Sequence, residues 1–280
     1  KLIDVVPENI HYRTQAAKIA LSRGQSQRAI DYFGREWVSA QGRPALSKEA
    51  LSLMARAYLQ LKKPEQGFEF ARQFAEQYPS DSTAHLLIGT YLGLMGHPQR
   101  AYQSYAQALE HDPKNFEAAI HMARIEYFAG SPDVAIARLV QYAKDNQNAS
   151  VHNEIANIYL SLGSTELALR HYHHALKFND RSFVAASNIA QIYEQSNDSV
   201  KALSTLREFL STTTQFPQAF IQTIDLLDGI GKKSEALNLL ERFSRQYADQ
   251  TELLLVQAKM YVKLDNEDLA AIRLKRALLI

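Results

Sequence analysis

Small residues recur in this chain at a nearly fixed interval. Ala29, Gly67, Ala101, Ala135, Ala168, Ala202, Ala236 and Ala270 stand 38, 34, 34, 33, 34, 34 and 34 residues apart. A period of this length marks stacked supersecondary units, none of which can bury its apolar face alone. A second ladder runs in phase twelve residues upstream: Ala17, Ala55, Gly89, Ala123, Ala156, Ala190, Ile224 and Ala258. Three residues beyond its members come Tyr58, Leu92, Tyr159, Tyr193, Leu227 and Tyr261.

Between the two ladders lies a turn position. Five residues before the later small residue stand Gly24, Gly96, Gly130, Gly163 and Gly231, with Asn197 and Asp265 in two further units. These residue types best tolerate the left-handed conformation that ends a helix. Pro64, Pro98 and Pro132 follow two residues later, where a helix start has no use for the missing N–H. Each unit therefore reads as helix, tight turn, helix. In "VHNEIANIYLSLG" the residues Ile155, Ala156 and Tyr159 share one helical face, and in "ELALRHYHHALKF" Ala168, Tyr172, Ala175 and Leu176 do the same. The small residues let two backbones approach, and the aromatic fills the space beside them.

Composition narrows the function classes. Lysine and arginine number 31 against 30 aspartates and glutamates, a net charge of +1, so the basic stripe of a nucleic-acid binder is not expected. The absence of cysteine excludes disulfides, thiolate catalysis and cysteine-based zinc sites. The longest apolar run, "LLIGTYLGLMG" (residues 86–96), is too short to span a bilayer, so no transmembrane segment is expected. No signal peptide is visible. The chain opens at Lys1 without a methionine, from which a leader or a further domain outside it is expected.

On these residues the chain resembles the tetratricopeptide repeat (TPR) family, with its 34-residue period, small–x2–aromatic first helix, A-x3-aromatic second helix and terminal proline. The stretch "HLLIGTYLGLMGHPQRAYQSYAQALEHDP" matches nearly throughout, and Pro79 and Pro113 end second helices. Departures are local. The lone Trp37 sits late in a first unit four residues too long around "WVSAQGRPALS", Glu126 occupies an aromatic position, Ile224 a small one, and Lys62 a turn-glycine position.

The resemblance implies an all-α, right-handed solenoid superhelix of about eight helix-turn-helix units. They form a single array over residues 1–280, with units starting near 10, 48, 82, 116, 149, 183, 217 and 251. It also implies a concave surface lined by the first helices that binds a protein or peptide partner, without catalysis or a cofactor. Groove residues four apart, opposite the small-residue seam, are Ser52 and Arg56, Leu86 and Thr90, Ile120 and Arg124, Asn153 and Asn157, Ser187 and Gln191, Ile221 and Asp225, and Leu255 and Lys259. A peptide site is expected on Arg56, Leu86, Thr90, Ile120, Arg124, Asn153, Asn157 and Gln191, where the amides both donate and accept. Some family members grip a C-terminal carboxylate with basic pairs. The equivalent positions here, Asn153/Asn157 and Ile221/Asp225, lack them, so that mode is not expected.

Other motifs read as structure. "GIGKKS" (residues 229–234) lacks the first glycine of a phosphate loop, and Gly231 already serves as a turn residue. His171, His173 and His174 in "HYHH" are read as a solvated helix face and not as metal ligands. No nucleophile–base constellation stands out. The last unit ends at "RLKRALLI" without a polar cap, so the chain is expected to continue past Ile280, or another molecule, including a second copy, to cover that end. Units such as "AAIHMARIEYFAGSPDVAIARLVQYAKDN" are similar to those of bacterial TPR lipoproteins tied to exopolysaccharide export and PEP-CTERM sorting. That similarity implies the bacterial envelope or periplasm in preference to the cytoplasm. The alternative reading is a regulatory or substrate-presenting segment of a larger enzyme or secretion machine.

Overall fold

A computed structural model describes residues 10–33, 47–248 and 250–279. Trp37 and residues 37–46 of the irregular first-unit stretch lie outside them. Every regular element among the described residues is an α-helix, and the helices come in pairs. In order they are α1 (Ile10–Ser22) and α2 (Ser26–Asp31), α3 (Lys48–Gln60) and α4 (Pro64–Gln77), α5 (Ser82–Leu94) and α6 (Pro98–His111), and α7 (Phe116–Phe128) and α8 (Pro132–Asp145). There follow α9 (Ala149–Ser161) and α10 (Thr165–Phe178), α11 (Phe183–Gln195) and α12 (Ser199–Thr212), α13 (Pro217–Gly229) and α14 (Lys233–Gln246), and α15 (Thr251–Lys263) and α16 (Glu267–Ala277). The chain divides into two compact units, Lys1–Asn146 and Gln147–Ile280. Within each, a second helix packs on the first helix of the next pair. First helices also touch: α1 with α3 and α3 with α5 in one unit, and α11 with α13 in the other.

The turn inside each pair is left-handed. Gly24, Gly96, Gly130, Gly163 and Gly231 have φ between 70° and 84°, and Asn197 and Asp265 have φ of 58° and 54°. Lys62 joins them at 55°, so the turn persists where the sequence departs from glycine. The reason is that the backbone closes the same loop each time. The N–H after the left-handed residue reaches back five residues, as in His97 to Leu92 O (2.8 Å) and Lys63 to Tyr58 O (3.1 Å). A side chain at that position costs roughly 1–2 kcal/mol, which Lys62 bears without breaking the pair.

The small residues lie in the seams. Ala101, Ala135, Ala168, Ala202 and Ala236 are fully buried, as are Ala55, Ala123, Ala156 and Ala190 of the other ladder. Two members are glycine because a tyrosine takes the space. A Cβ on Gly67 would stand 2.0 Å from the Tyr91 hydroxyl, and one on Gly89 would stand 2.6 Å from the Tyr105 ring. Tyr91 is wholly buried and donates its hydroxyl to the Ala55 carbonyl.

Glu126 replaces the expected aromatic by means of an ion pair. Arg138, one helix later, meets its carboxylate through Nη2 at 2.6 Å and through Nε at 2.9 and 3.0 Å. The Tyr102 hydroxyl donates to the same carboxylate at 2.9 Å, and the Arg138 guanidinium lies 5.5 Å above the Tyr102 ring. The chain thus fills an aromatic slot with a bidentate pair whose charges satisfy each other. Ile272 and Leu274 on α16 remain exposed, as do Leu278 and Leu279 just after it. No helix among the described residues is long and apolar enough to cross a membrane.

Candidate functional site

The residues expected to line a groove fall into the two units. In the first, Arg56 on α3 and Arg124 on α7 are exposed. Leu86 and Ile120, expected in the groove beside Thr90 and Arg124, are instead largely buried at 8% exposure. Leu86 belongs to the core with Leu92, Tyr105 and Met122. The face opposite the small-residue seam is therefore only partly open, because the neighbouring helices cover its N-terminal end. Thr90 is half-buried and donates its hydroxyl to the Leu86 carbonyl at 2.8 Å, a bond within its own helix. A shallow cavity of about 400 Å³ lies between α3 and its neighbours, with Ser52, Arg56 and Lys48 on its wall.

In the second unit, the amides are organised by a tyrosine. Tyr172 on α10 is fully buried, and its hydroxyl reaches the first-helix face. It donates to Asn157 Oδ1 at 2.6 Å and accepts from Asn188 Nδ2 at 3.1 Å. Burial pushes that hydroxyl up to about 12, with the Asn188 hydrogen bond opposing the shift. The tyrosine thus fixes the orientation of both amides. It occupies the carbonyl of Asn157 and the NH2 of Asn188, which leaves a donor on α9 and an acceptor on α11. Asn153, one turn before Asn157, donates to Ser182 Oγ at 3.2 Å, while its own buried carbonyl oxygen has no donor. Gln191 is exposed one helical turn beyond Ser187.

Asn188 was not among the expected site residues, although its signal is present in the sequence. Glu154, Asn188 and Gln222 stand 34 residues apart, each two residues before a member of the upstream ladder. In the structure Glu154 is buried, and Gln222 donates to the Ser187 carbonyl at 3.4 Å while its buried carbonyl oxygen lacks a donor. Period alone could have found this polar ladder. The role of Tyr172 could not be found that way, because its hydroxyl partners come from two different helices.

The histidine cluster corrects the expectation of a solvated face. His173 and His174 are exposed, but His171 is half-buried and its Nδ1 meets Nδ1 of His152, from α9, at 3.1 Å. Tyr159 stacks on His171 at 5.6 Å, and Phe178 on His152 at 5.3 Å. Burial first, then the neighbouring His152, His174 and Arg170, pushes His171 down to about 4, and His152 is lowered by burial and His174. In the unfolded chain a histidine takes its proton near pH 6.5. The unfolded state therefore binds more protons than the folded one between about pH 6.5 and 4, and stability falls as pH drops through that window. After discounting for partial exposure, the second unit is expected to lose about 1 kcal/mol between pH 7.5 and 5.5. Urea unfolding at the two pH values checks this, and His171→Leu should remove most of the difference.

Models of the tetratricopeptide repeat match residues 94–158 and 49–81. The chain is 22% identical over 143 residues to anaphase-promoting complex subunit 7 of Arabidopsis thaliana, covering 51% of this chain and 26% of that protein. It is 19% identical over 248 residues to cellulose synthase operon protein C of Pseudomonas fluorescens (strain SBW25), covering 83% of this chain and 19% of that protein. The chain thus spans about a quarter and a fifth of the length of these curated relatives. Among solved structures, a thermophilic TPR protein of Thermus thermophilus is similar with a TM-score of 0.55 at 17% identity, covering 66% of this chain and 98% of that one.

Proposed function

The chain is a tetratricopeptide-repeat protein, a fold that serves as a protein-interaction scaffold, and on that premise we propose that the first-helix faces of its units bind an extended segment of a partner protein. The observation that carries this reading is the Asn157–Tyr172–Asn188 set. A free NH2 and a free carbonyl, each fixed by a buried hydroxyl, match the carbonyl and N–H that an extended main chain presents. Asn153 and Gln191 extend the polar surface along α9 and α11. Arg56, Thr90 and Arg124 give the first unit a surface of its own, with Leu86 and Ile120 as its largely buried floor.

The partner we infer belongs to polysaccharide synthesis or export in the bacterial envelope. The similarity to a cellulose synthase operon protein across most of this chain, and the texture of the degenerate units, support that assignment. In this reading the chain scaffolds an assembly and performs no chemistry of its own. The exposed Ile272, Leu274 and Leu278 supply a further surface for self-association.

Affinity capture from cells of the source organism tests the reading. The wild-type chain should retain a partner that the double variant Asn157→Ala/Asn188→Ala loses by tenfold or more at unchanged helicity. Charge reversal at Arg56 and Arg124 should weaken capture of any partner held by the first unit. Equal recovery by all variants would overturn the proposal.

A further inference from the structure

The second unit holds a cavity of about 490 Å³ on the α11 and α13 helices, the first helices of adjacent pairs. Phe183, Ile221 and Leu226 supply apolar wall, and Glu194 and Asp225 place carboxylates on the same cavity. The charges are not balanced locally. Lys263 lies 2.7 Å from Asp225 and 3.5 Å from Asp228, so those two acids share one ammonium. Glu194 has no lysine or arginine partner among the described residues, and burial together with the charge of Asp225 raises its pKa above the usual carboxylate value. Gln222, also on the wall, keeps a buried carbonyl oxygen without a donor, its NH2 being turned to the Ser187 carbonyl.

We propose that this cavity receives a lysine or arginine side chain from an extended segment of a partner protein. The apolar wall takes the aliphatic stem, and the cationic head sits between Glu194 and Asp225. Two features select this occupant over an anionic or purely apolar one: two adjacent carboxylates of which one lacks a counter-cation, and an apolar wall beside them. A cation entering here relieves the repulsion between Glu194 and Asp225, which a neutral side chain does not. The inference rests on the reading of the first-helix face as a peptide surface and adds the chemistry of one residue of the ligand.

The test uses a random twelve-residue peptide library displayed on phage and selected against the full chain, with affinities of the enriched peptides then measured by fluorescence anisotropy. Enriched peptides are expected to share a basic residue, and alanine in its place should weaken binding at least tenfold. Glu194→Gln should weaken the same peptides tenfold at 50 mM salt while leaving the melting temperature unchanged or higher, since no ion pair is broken. Enriched peptides without a shared basic residue, or ones indifferent to Glu194→Gln, would overturn the inference. If those peptides still require Asn157 and Asn188, the broader peptide-surface reading stands and only this cavity's assignment fails. Full competition by spermidine at equimolar concentration would identify a polyamine site instead and also overturn it. Failure to enrich any peptide counts against both.

Discussion

Replacing Gly67 by alanine is expected to destabilise the first unit by about 1–3 kcal/mol, the usual cost of overpacking a close-packed seam. Local propensity points the other way, because alanine is favoured over glycine inside a helix by about 1 kcal/mol. Packing should win because the new methyl would stand 2.0 Å from the Tyr91 hydroxyl and 2.1 Å from its Cζ. The ring cannot swing aside. It is fully buried and its hydroxyl is held by the Ala55 carbonyl. Denaturant unfolding of Gly67→Ala, Tyr91→Leu and the double variant forms a cycle. The double variant should be more stable than the sum of the single changes implies, because the smaller side chain gives the methyl room. Strict additivity would mean that the contact between the two residues is not what makes glycine necessary.

A loss of about 2 kcal/mol is expected from Glu126→Leu, even though leucine is closer to the apolar residue that the repeat pattern calls for. Removing one partner of a fully buried pair costs about 3–5 kcal/mol. Here the Arg138 side chain is 30% exposed, so the stranded guanidinium retains some access to water and the cost is smaller. The double change Glu126→Leu/Arg138→Met should recover most of the loss, since an apolar pair of similar volume replaces ion pairs of this kind at little cost. Tyr102→Phe alone removes one hydrogen bond to the carboxylate and one contact to Arg138 Nη2 at 2.5 Å, so a smaller loss is expected. Chemical denaturation at pH 7 measures all three. A Glu126→Leu variant as stable as the parent would show that the aromatic position has no need of its ion pair.

The amino-acid sequence carried the helix pairing because pairing depends on local quantities. A turn that ends one helix and starts another needs a left-handed residue, and Gly, Asn and Asp advertise themselves wherever they stand. Asn197 and Asp265 were legible for that reason, and their φ angles match those of the glycines in kind. The small-residue ladders were legible because close helix approach excludes bulk at a fixed place in every unit. For the candidate site, the exposed positions Arg56, Arg124, Asn157 and Gln191 could be placed from helical spacing alone.

What the sequence by itself determined is therefore the repeated helix hairpin and its register, since both follow from backbone conformation and side-chain bulk within about 34 residues. Only the tertiary structure decided which side chains those hairpins bring together. It closed a left-handed turn on Lys62, paired Glu126 with Arg138, buried Leu86 and Ile120, joined His152 to His171, and divided the Tyr172 hydroxyl between two asparagines. Burial and hydrogen-bond partnership are properties of neighbours in space, and helical periodicity fixes the face on which a residue lies but not what stands across from it.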